Sequence, residues 1–381
     1  MKILHCCLSC FYIDNYNYQE NVLPLINKNH GHDVKIIAST ETFIENSKLG
    51  YVNAGKYINR DGISVERVAY KRWLPHFIMK KIRIYKNVYD LIEKFSPDII
   101  LFHGVCAYEL LTIVKYKKNN PKVKVYIDSH SDFNNSSQNL ISREILHKRF
   151  YKRIVDKALP WIDKILCISI EAIDFLEQLY KVPKDKMELY PLGGIIFTDS
   201  EWKEKRDKIR KTLSVNEDDI LVIHSGKMDV KKCTIELLES FTKVTNSNLK
   251  LVLIGSFTQE IESTVNSIIN LDKRIKYIGW KDSSMLLEYL CGADIYVQPG
   301  SQSATMQNAI CCRCPIAVYP HKSHKPYLKE NGFYVKNIND MVQMFYKIGS
   351  NPEILKNMSK ESYNIACELL DYNKLASRLY I

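Results

Sequence analysis

The chain alternates short apolar runs with longer stretches in which apolar positions recur every three or four residues. This alternation is typical of a parallel sheet whose strands are joined by helices that cover its faces. The apolar runs predict strands at Lys2–Cys7, Asp33–Ser39, Ile99–His103, Lys124–Ser129, Lys164–Ile168, Ile220–Ser225, Leu249–Gly255, Ile275–Gly279, Ile295–Gln298 and Pro315–Tyr319. Because the rhythm runs through two successive rounds, we expect an α/β fold of two Rossmann-like domains, each a doubly wound parallel sheet.

Helical periodicity fills the intervals between these strands. The predicted helices are Gln19–Asn29, Ile82–Phe95, Ala107–Lys117, Glu171–Leu179, Ser200–Leu213, Cys233–Thr245, Thr258–Ile269, Ser284–Cys291 and Ala304–Cys311, with a broken helix over Pro352–Ile381. A proline and two glycines within residues 190–194 interrupt any regular element, which predicts the join between the domains. We therefore expect a first domain over residues 1–195, a second over 196–365, and a C-terminal helix at about 366–381 that packs back on the first.

Length and composition narrow the class of protein. The 381 residues suit two domains, and a hydrophobic fraction of 46% gives each domain enough apolar surface for a core. No stretch approaches the roughly 20 apolar residues that span a bilayer, and no leader opens the sequence, so we expect a cytoplasmic protein. Eleven cysteines, an odd number without paired metal-ligand spacing, are expected to be reduced thiols and not metal ligands.

The formal net charge of +11 favours anionic partners: a nucleoside diphosphate, an anionic lipid surface or a nucleic acid. Two stretches concentrate basic and aromatic residues, Lys71–Lys86 and Arg143–Lys157. Both are compatible with contact at an anionic membrane surface, and equally with ordinary amphipathic surface helices. No nucleic-acid recognition motif accompanies them, so we expect no nucleic-acid partner.

Candidate phosphate-binding residues follow two predicted strands of the second half. Gly226 and Lys227 come directly after one strand, and Lys232 follows five residues later, so that two ammonium groups can flank a diphosphate. A solvated basic turn would have the same composition. The small polar segment Ser301–Thr305 precedes a predicted helix, where backbone N–H groups and the positive helix end can bind phosphate. An ordinary capped helix is the alternative there.

Two histidines lie at the ends of successive predicted strands of the first half: His103 ends one strand, and His130 follows the next. At strand ends such side chains can position sugar hydroxyls or donate to a developing oxyanion, although a single histidine is more often structural. The sequence has no G-x-G-x-x-G and no G-x4-G-K-[ST] motif. Classical dinucleotide binding and P-loop hydrolysis therefore have little support.

Taken together, these segments resemble the bacterial family-four glycosyltransferases of GT-B fold over nearly the whole chain. The matching pieces, in order, are the opening Met-Lys-Ile-Leu, then Gly31–Val34, Pro97–Ile100, His103-Gly104, Cys167–Ala172, Gly226-Lys227 with Lys232, Leu253–Gly255, Tyr277–Trp280, Ala293–Val297 and Asn331–Phe333. The resemblance implies two domains that face each other across a cleft, and transfer of a sugar from a nucleoside diphosphate sugar with retention and without a required metal. By the same resemblance Lys227 and Lys232 hold the diphosphate, and His130 or His103 lies near the transferred sugar.

The sequence departs from the family pattern at two places. The family's E-x7-E signature is missing: Asn308 stands at the second glutamate, and the first has no counterpart in a shorter loop. The resemblance then implies that the nucleotide-sugar donor is bound by residues whose hydrogen-bonding groups take the place of the missing glutamates. These residues are Gly226, Lys227, Lys232, Gly255, Ser301, Gln302, Ser303, Ala304, Thr305 and Asn308. The family's glycine-rich first turn is also replaced, and Tyr18 and Glu20 there are candidate acceptor contacts, although Glu20 would also favour a helix start.

The leading hypothesis is a retaining sugar transferase that takes a nucleoside diphosphate sugar, UDP-sugar first, to a lipid-linked or other cell-envelope glycan. It would need no cofactor and would work in the cytoplasm, with peripheral contact at the inner membrane face. Three alternatives stay open. They are a nucleotide-sugar epimerase of the same fold, a noncatalytic nucleotide-sugar-binding partner, and a nucleic-acid-binding protein whose affinity would fall steeply with salt.

Overall fold

The computed structural model describes residues 1–44, 48–133, 135–140 and 142–380. It divides the chain into two compact units. Unit 1 comprises Met1–Pro191 and Tyr372–Ile381, and unit 2 comprises Leu192–Asp371. Each unit contains one large sheet of mainly parallel strands with helices between them, which confirms the predicted α/β class with two Rossmann-like domains.

Unit 1 is built on an eight-stranded sheet in the order β10-β9-β8-β7-β1-β2-β6-β5, and a separate two-stranded hairpin pairs β3 with β4. Its strands are β1 (Lys2–Cys7), β2 (Asp33–Ser39), β3 (Glu41–Phe43), β4 (Leu49–Tyr51), β5 (Gly55–Ile58), β6 (Ser64–Val68), β7 (Ile99–His103), β8 (Lys124–Ser129), β9 (Lys164–Cys167) and β10 (Met187–Leu189). Its helices before residue 191 are α1 (Gln19–Asn29), α2 (His76–Ile82), α3 (Val88–Phe95), α4 (Leu110–Asn119), α5 (Lys152–Ala158) and α6 (Ile170–Phe175). Wider helical turns of π type form Ser142–Tyr151 and Leu176–Tyr180.

Unit 2 is built on six parallel strands in the order β13-β12-β11-β14-β15-β16. Its strands are β11 (Ile220–Met228), β12 (Leu249–Phe257), β13 (Ile275–Tyr277), β14 (Ile295–Gln298), β15 (Ile316–Val318) and β16 (Gly332–Tyr334). Its helices are α7 (Asp199–Leu213), α8 (Thr234–Thr242), α9 (Gln259–Leu271), α10 (Ser283–Gly292), α11 (Thr305–Cys311), α12 (Ile338–Ser350) and α13 (Glu353–Ile365), and a π-type turn follows over Ala366–Leu370.

The chain then returns to unit 1 through α14 (Tyr372–Ser377), which packs against α1. Leu375 and Leu379 are buried there beside Leu23 and Tyr190. The Tyr190 hydroxyl donates to the carbonyl of Leu375 at 2.7 Å. Unit 1 therefore completes its core with residues from both ends of the chain.

The central strands are apolar because both of their faces are covered. From its second residue onward β1 is buried throughout, as the middle strand of a helix-covered parallel sheet requires. All eleven cysteines are free thiols in the structure. Among the residues described, no helix is both long and apolar enough to cross a membrane.

Two predicted elements differ from the structure. The helix predicted over residues 82–95 is broken, because Arg83 and Asn87 adopt left-handed backbone conformations with φ of 58° and 57°. The strand predicted to end at Ser225 continues to Met228, since its parallel pairing with β12 extends to the pair Met228–Phe257. Gly226 and Lys227 therefore lie within β11, and the prediction that they follow the strand was wrong.

Candidate active site

His103 and Asp128 end adjacent strands of unit 1 and meet as a buried pair. β7 and β8 are parallel and in register, with His103 opposite Asp128. His103 Nδ1 donates to Asp128 Oδ2 at 2.5 Å, and the other carboxylate oxygen accepts from the backbone N–H of Gly104 at 2.8 Å. Burial opposes the charged form of His103, but Asp128 outweighs it and raises the pKa of His103 to about 10. Burial likewise opposes the ionised form of Asp128, but His103 and His130 hold its pKa well below the usual range.

His5 of β1 continues this pair into the core. Its Nδ1 accepts from His103 Nε2 at 3.1 Å, and its Nε2 donates to Asn27 Oδ1 at 2.9 Å. Burial, followed by the neighbouring charge of His103, lowers the pKa of His5 to about 3. When His5 is neutral and His103 is charged, each protonated ring nitrogen faces a hydrogen-bond acceptor, and the unprotonated Nδ1 of His5 faces a donor. The ionised Asp128 is thereby fixed at the carboxyl end of β8.

His130 lies two residues beyond Asp128, and its side chain is 36% exposed. Its Nε2 lies 3.6 Å from Asp128 Oδ2 and 3.1 Å from Gln19 Oε1. The amide of Gln19 is oriented by its own Nε2, which donates to the carbonyl of Pro191 at 3.3 Å. Gln19 therefore presents an acceptor, so Nε2 of His130 carries a proton and Nδ1 is the nitrogen that can exchange one with a substrate.

The charge on His130 is set by its carboxylate neighbours. Burial opposes the imidazolium, but Asp128 and then Glu20 outweigh both that effect and the opposing charge of His103, which raises the pKa of His130. Glu20 lies in the first turn of α1 and is partly buried. Tyr18, the residue before α1, is 47% exposed and stacks on Tyr16 with ring centroids 5.2 Å apart. The two predicted acceptor-side residues thus flank Gln19.

A cavity of about 620 Å³ opens in unit 1 beside these groups. Asp128 and His130 line it, together with Arg83, side chains of α2, and the polar residues Ser136, Ser137, Gln138, Asn139 and Ser142. The buried carboxylate of Glu41 also lines the cavity and accepts from the hydroxyls of Tyr51 and Tyr70 at 2.9 and 2.8 Å, lengths typical of strong hydrogen bonds. The cavity is polar and surrounded by groups that can bind hydroxyl or phosphate oxygens.

The predicted donor residues of unit 2 lie where β11 and β12 approach each other most closely. Gly226 and Gly255 are paired in register and have φ of 129° and 141°. A Cβ on Gly255 would lie 1.9 Å from the carbonyl oxygen of Gly226, so only glycine fits there. A Cβ on Gly226 would lie 3.8 Å from Cε of Lys232, which places bare backbone next to that lysine.

Lys232 is a buried cation that contacts two backbone carbonyls. It is 9% exposed, and its Nζ contacts the carbonyls of Ser301 and Gln302, both at 3.4 Å. Burial lowers the pKa of Lys232, which Asp229 only partly offsets. Lys227 is exposed. Within the described part of the chain neither lysine has a carboxylate oxygen within 4.0 Å, so both ammonium groups can serve an added anion.

The segment Ser301–Thr305 is held against Lys231 and Lys232. The N–H of Ser301 donates to the carbonyl of Lys231 at 2.7 Å, and a Cβ on the preceding Gly300 would lie 2.1 Å from that oxygen. Ser303 donates to the hydroxyl of Thr305 at 3.1 Å and accepts from its N–H at 3.3 Å. Ala304, at the start of α11, supplies no side-chain cap.

Asn308 lies in the middle of α11 and is partly exposed. Across the residues that the structure describes, its side-chain amide has no hydrogen-bond partner and is available to a ligand. The structure therefore brings Gly226, Gly255, Lys232 and the segment from Ser301 together within unit 2. Asn308 joins that segment through its backbone N–H, which donates to the carbonyl of Ala304 at 3.3 Å, and Lys227 follows Gly226 on β11 with an exposed side chain.

Sequence reasoning missed Gln19, His5 and Arg83. Gln19 was predicted only as the first residue of a helix, and His5 only as part of a strand. Their roles depend on contacts with residues about a hundred positions away, which periodicity does not report. In the described residues, no cluster of three or more His, Cys, Asp or Glu side chains is arranged to hold a metal ion.

Two family models match the chain. The model described as Glycosyltransferase Family 4 matches residues 28–193, and the model described as Glycosyl transferases group 1 matches residues 205–365. Alpha-monoglucosyldiacylglycerol synthase from Acholeplasma laidlawii is 21% identical over 349 residues, which are 87% of this chain and 84% of that protein.

Solved structures resemble the whole chain. A sucrose-phosphate synthase from Thermosynechococcus elongatus is 15% identical with a TM-score of 0.67, over 99% of this chain and 97% of that one. HepE from Anabaena in complex with UDP is 13% identical with a TM-score of 0.68, over 99% of this chain and 98% of that one. At these identities the likeness shows the fold, and each is a GT-B glycosyltransferase.

Proposed function

The chain belongs to the family-four glycosyltransferases, which depend on nucleotide-sugar donors. On that premise we propose that it transfers a hexose from a UDP-sugar to a lipid-linked or other cell-envelope glycan, with retention of anomeric configuration. Unit 2 binds the donor, and the cavity of unit 1 binds the acceptor. The observation that carries the proposal is the buried ammonium of Lys232, which has no carboxylate oxygen within 4.0 Å among the described residues.

A buried cation needs an anion or a dense set of acceptors. The two carbonyls lie 3.4 Å from Nζ of Lys232, which is too distant to replace the water lost on burial of the ammonium. A diphosphate would supply charged oxygens that bind the ammonium more strongly. Bare backbone at Gly226 and Gly255 lets the diphosphate approach the strand ends. During transfer, charge accumulates on the departing diphosphate, and Lys232 stabilises it there.

UDP is the first candidate among nucleotides. HepE structures of the same fold are described with UDP and with UDP-glucose. On the acceptor side, His130 is held with Nε2 protonated and with its pKa raised, so it binds a sugar oxygen as a donor and offers Nδ1 to the reacting groups. Departure of the diphosphate and attack of the acceptor on the same face of the sugar then give a product with retained anomeric configuration.

A lipid-linked acceptor is supported by an exposed apolar patch on unit 1. Trp73, Leu74 and Phe77, at or near α2, are 67%, 49% and 71% exposed. Lys71 lies over the Trp73 ring at 4.6 Å, and further lysines occupy α2. Apolar side chains ringed by lysine suit shallow insertion into an anionic bilayer. The curated relative from Acholeplasma is named for a diacylglycerol product, which agrees with such a location.

The proposal is tested with a panel of nucleoside diphosphates and their sugars, in thermal-shift and calorimetric titrations of wild type and the Lys227→Ala/Lys232→Ala double variant. We expect selective binding of UDP and a UDP-sugar that is lost in the double variant. Lys231→Ala, an exposed neighbour, is the matched control. Absence of binding to every nucleotide would contradict the proposal. With donor and acceptor in hand, NMR of the product's anomeric proton tests retention, and an inverted product would refute it.

One observation favours a second candidate, a noncatalytic nucleotide-sugar-binding partner. An amide at Asn308 accepts from ribose hydroxyls less strongly than the glutamate of the family pattern. That candidate predicts UDP-sugar binding, sensitive to Lys232→Ala, without turnover on any acceptor or water.

A further inference from the structure

Arg83 is a cation of unit 1 whose hydrogen bonds go to neutral acceptors. Its side chain lines the cavity beside Asp128 and His130. Nη1 donates to the carbonyl and to the Oγ of Ser9, the latter at 2.9 Å, and to the carbonyl of Cys106 at 3.4 Å. In the ranges that the structure describes, no carboxylate oxygen lies within 4.0 Å of its guanidinium.

The remaining N–H groups of Arg83, on Nε and Nη2, donate to no acceptor among the described residues. Neither nitrogen belongs to the fully buried polar atoms that lack a partner in that part of the chain. Guanidinium donors form a planar fork that matches the oxygens of a phosphate. A partly buried arginine with half of its fork unused is therefore suited to an anion that enters from the cavity.

The other charges of the cavity leave a positive excess. Glu41 is paired with Lys80 at 3.6 Å, and Asp128 is paired with His103. Lys81 lines the cavity and, in the described part of the chain, has no carboxylate within 4.0 Å. Arg83, Lys81 and the charged form of His130 therefore remain for an anionic ligand.

Arg83 lies next to the wall that holds His130. Ser9 Oγ accepts from Arg83 and also from the N–H of Cys106 at 3.0 Å. A Cβ on Gly104 would lie 2.8 Å from the same Oγ, and the N–H of Gly104 donates to Asp128. Ser9 and Gly104 thus connect the guanidinium to the carboxylate beside His130. One small molecule in the cavity can therefore contact both.

We propose that this cavity binds an acceptor that carries a phosphate group, with Arg83 holding the phosphate while an acceptor hydroxyl lies at His130. The inference rests on the proposed sugar transfer and defines the acceptor by its chemistry, as a phosphomonoester or phosphodiester that is either soluble or part of a lipid. In the transfer, the acceptor oxygen bonds to the anomeric carbon, the bond from that carbon to the UDP oxygen breaks, and the hydroxyl proton passes to the departing diphosphate. The acceptor phosphate is unchanged. A soluble sugar phosphate and a phospholipid headgroup share this chemistry.

The first arm of the test measures anion binding without turnover. Calorimetry follows inorganic phosphate in the presence of saturating UDP, which occupies the site at Lys232. We expect Arg83→Gln to weaken phosphate binding by about 10- to 100-fold, since charge-assisted hydrogen bonds are lost. Lys81→Met should weaken it several-fold. Arg60→Gln, an exposed arginine of unit 1 outside the cavity, should leave it within twofold. Equal phosphate affinity in wild type, Arg83→Gln and Lys81→Met would overturn the proposal.

Folding is checked independently, because Arg83 also binds the carbonyl of Ser9. The thermal shift produced by UDP should be the same in every variant, since the donor groups lie in unit 2. If Arg83→Gln fails this check, Arg83→Lys and Lys81→Met take its place. Lysine keeps the charge but not the fork, so Arg83→Lys should still weaken phosphate binding, by less than Arg83→Gln.

The second arm follows UDP release from UDP-glucose with paired acceptors. The pairs are a hexose 6-phosphate against the free hexose, and phosphatidylglycerol vesicles against phosphatidylcholine vesicles that contain diacylglycerol. Turnover on the first member of either pair, with its KM raised at least tenfold in Arg83→Gln, supports the proposal and identifies the source. Turnover on diacylglycerol or free hexose that Arg83→Gln leaves unchanged refutes it but leaves sugar transfer intact. Phosphate binding that depends on Arg83, without turnover on any acceptor, supports the anion site and counts against the proposed transfer.

Discussion

Replacing Lys232 with methionine should have opposite effects on stability and on nucleotide binding. Methionine keeps most of the length of the side chain and removes the ammonium. The lost contacts to Ser301 and Gln302 are long, at 3.4 Å, while the ammonium itself is buried without a carboxylate. We therefore expect the free energy of unfolding without nucleotide to stay level or to rise by about 1 kcal/mol.

Affinity for UDP should fall in the same variant. Loss of one charge-assisted hydrogen bond to a phosphate costs about 1.5–3 kcal/mol, or about 10- to 150-fold in the dissociation constant. At a UDP concentration of about 100 times the wild-type dissociation constant, wild type gains about 2.7 kcal/mol of stability from binding. A variant with 100-fold weaker affinity gains about 0.4 kcal/mol at that concentration.

The assay is a urea titration of wild type, Lys232→Met and Lys231→Met, each with and without UDP. Lys231 is exposed, so Lys231→Met removes the same formal charge one residue away and should behave as wild type. The reasoning is refuted if Lys232→Met unfolds more easily than wild type without UDP and yet gains full stabilisation from it. Lys232 would then be a structural residue.

Three further substitutions test the histidine network and the strand ends. Gln19→Glu places a second carboxylate at Nε2 of His130, so the pH above which kcat falls should move upward. Gln19→Met should lower kcat without changing the KM for the donor. Profiles of kcat and KM against pH check the two variants. Asp128→Asn removes the charge that raises the pKa of His103 from 6.5 to about 10. The stabilisation that this charge gives is complete below pH 6.5 and is lost as the pH rises toward 10. The free energy of unfolding of Asp128→Asn should therefore be about 3 kcal/mol below that of wild type at pH 6, and this difference should be smaller at pH 9.5. Urea unfolding at the two pH values measures it. Gly255→Ala should cost about 3 kcal/mol in the same assay, because its Cβ would meet the Gly226 carbonyl, while Gly31→Ala, with open space around its Cβ, should cost about 1 kcal/mol.

The buried central strands could be predicted because nearly every residue in them lies in an apolar environment, so each strand appears in the sequence as an apolar run. The bounds predicted for β1, β2, β7, β8 and β14 are confirmed by the structure, as are those of α1. Strand β6 was missed because Ser64–Val68 alternates buried and half-buried positions and includes charged side chains. The break between α2 and α3 was missed because Arg83 is held by Ser9, a contact over 74 residues that no local pattern contains.

The candidate site likewise contains residues that the sequence could predict and residues that it could not. Residue type and place after a strand pointed to His103, His130 and Lys232, and these assignments stay predictions until they are measured. The sequence gives no means to see that Gln19 orients His130, since both are ordinary polar residues at element ends. Nor does it show that Lys80 is paired with Glu41 while Lys232 has no carboxylate within 4.0 Å in the described part of the chain, because that difference arises only from three-dimensional packing.

The return of α14 to unit 1 has a consequence for the order in which the protein can be completed during synthesis. Unit 2 is one continuous segment and has all of its residues once the ribosome has passed Asp371. Unit 1 begins earlier but finishes later, because Leu375 and Leu379 fill its core only once they have emerged from the ribosome. Until then Leu23 and Tyr190 lack these two apolar neighbours, so a nascent chain that stalls just after unit 2 exposes an unfilled groove. Helix α14 and Leu379 thus complete the half of the molecule whose synthesis began first.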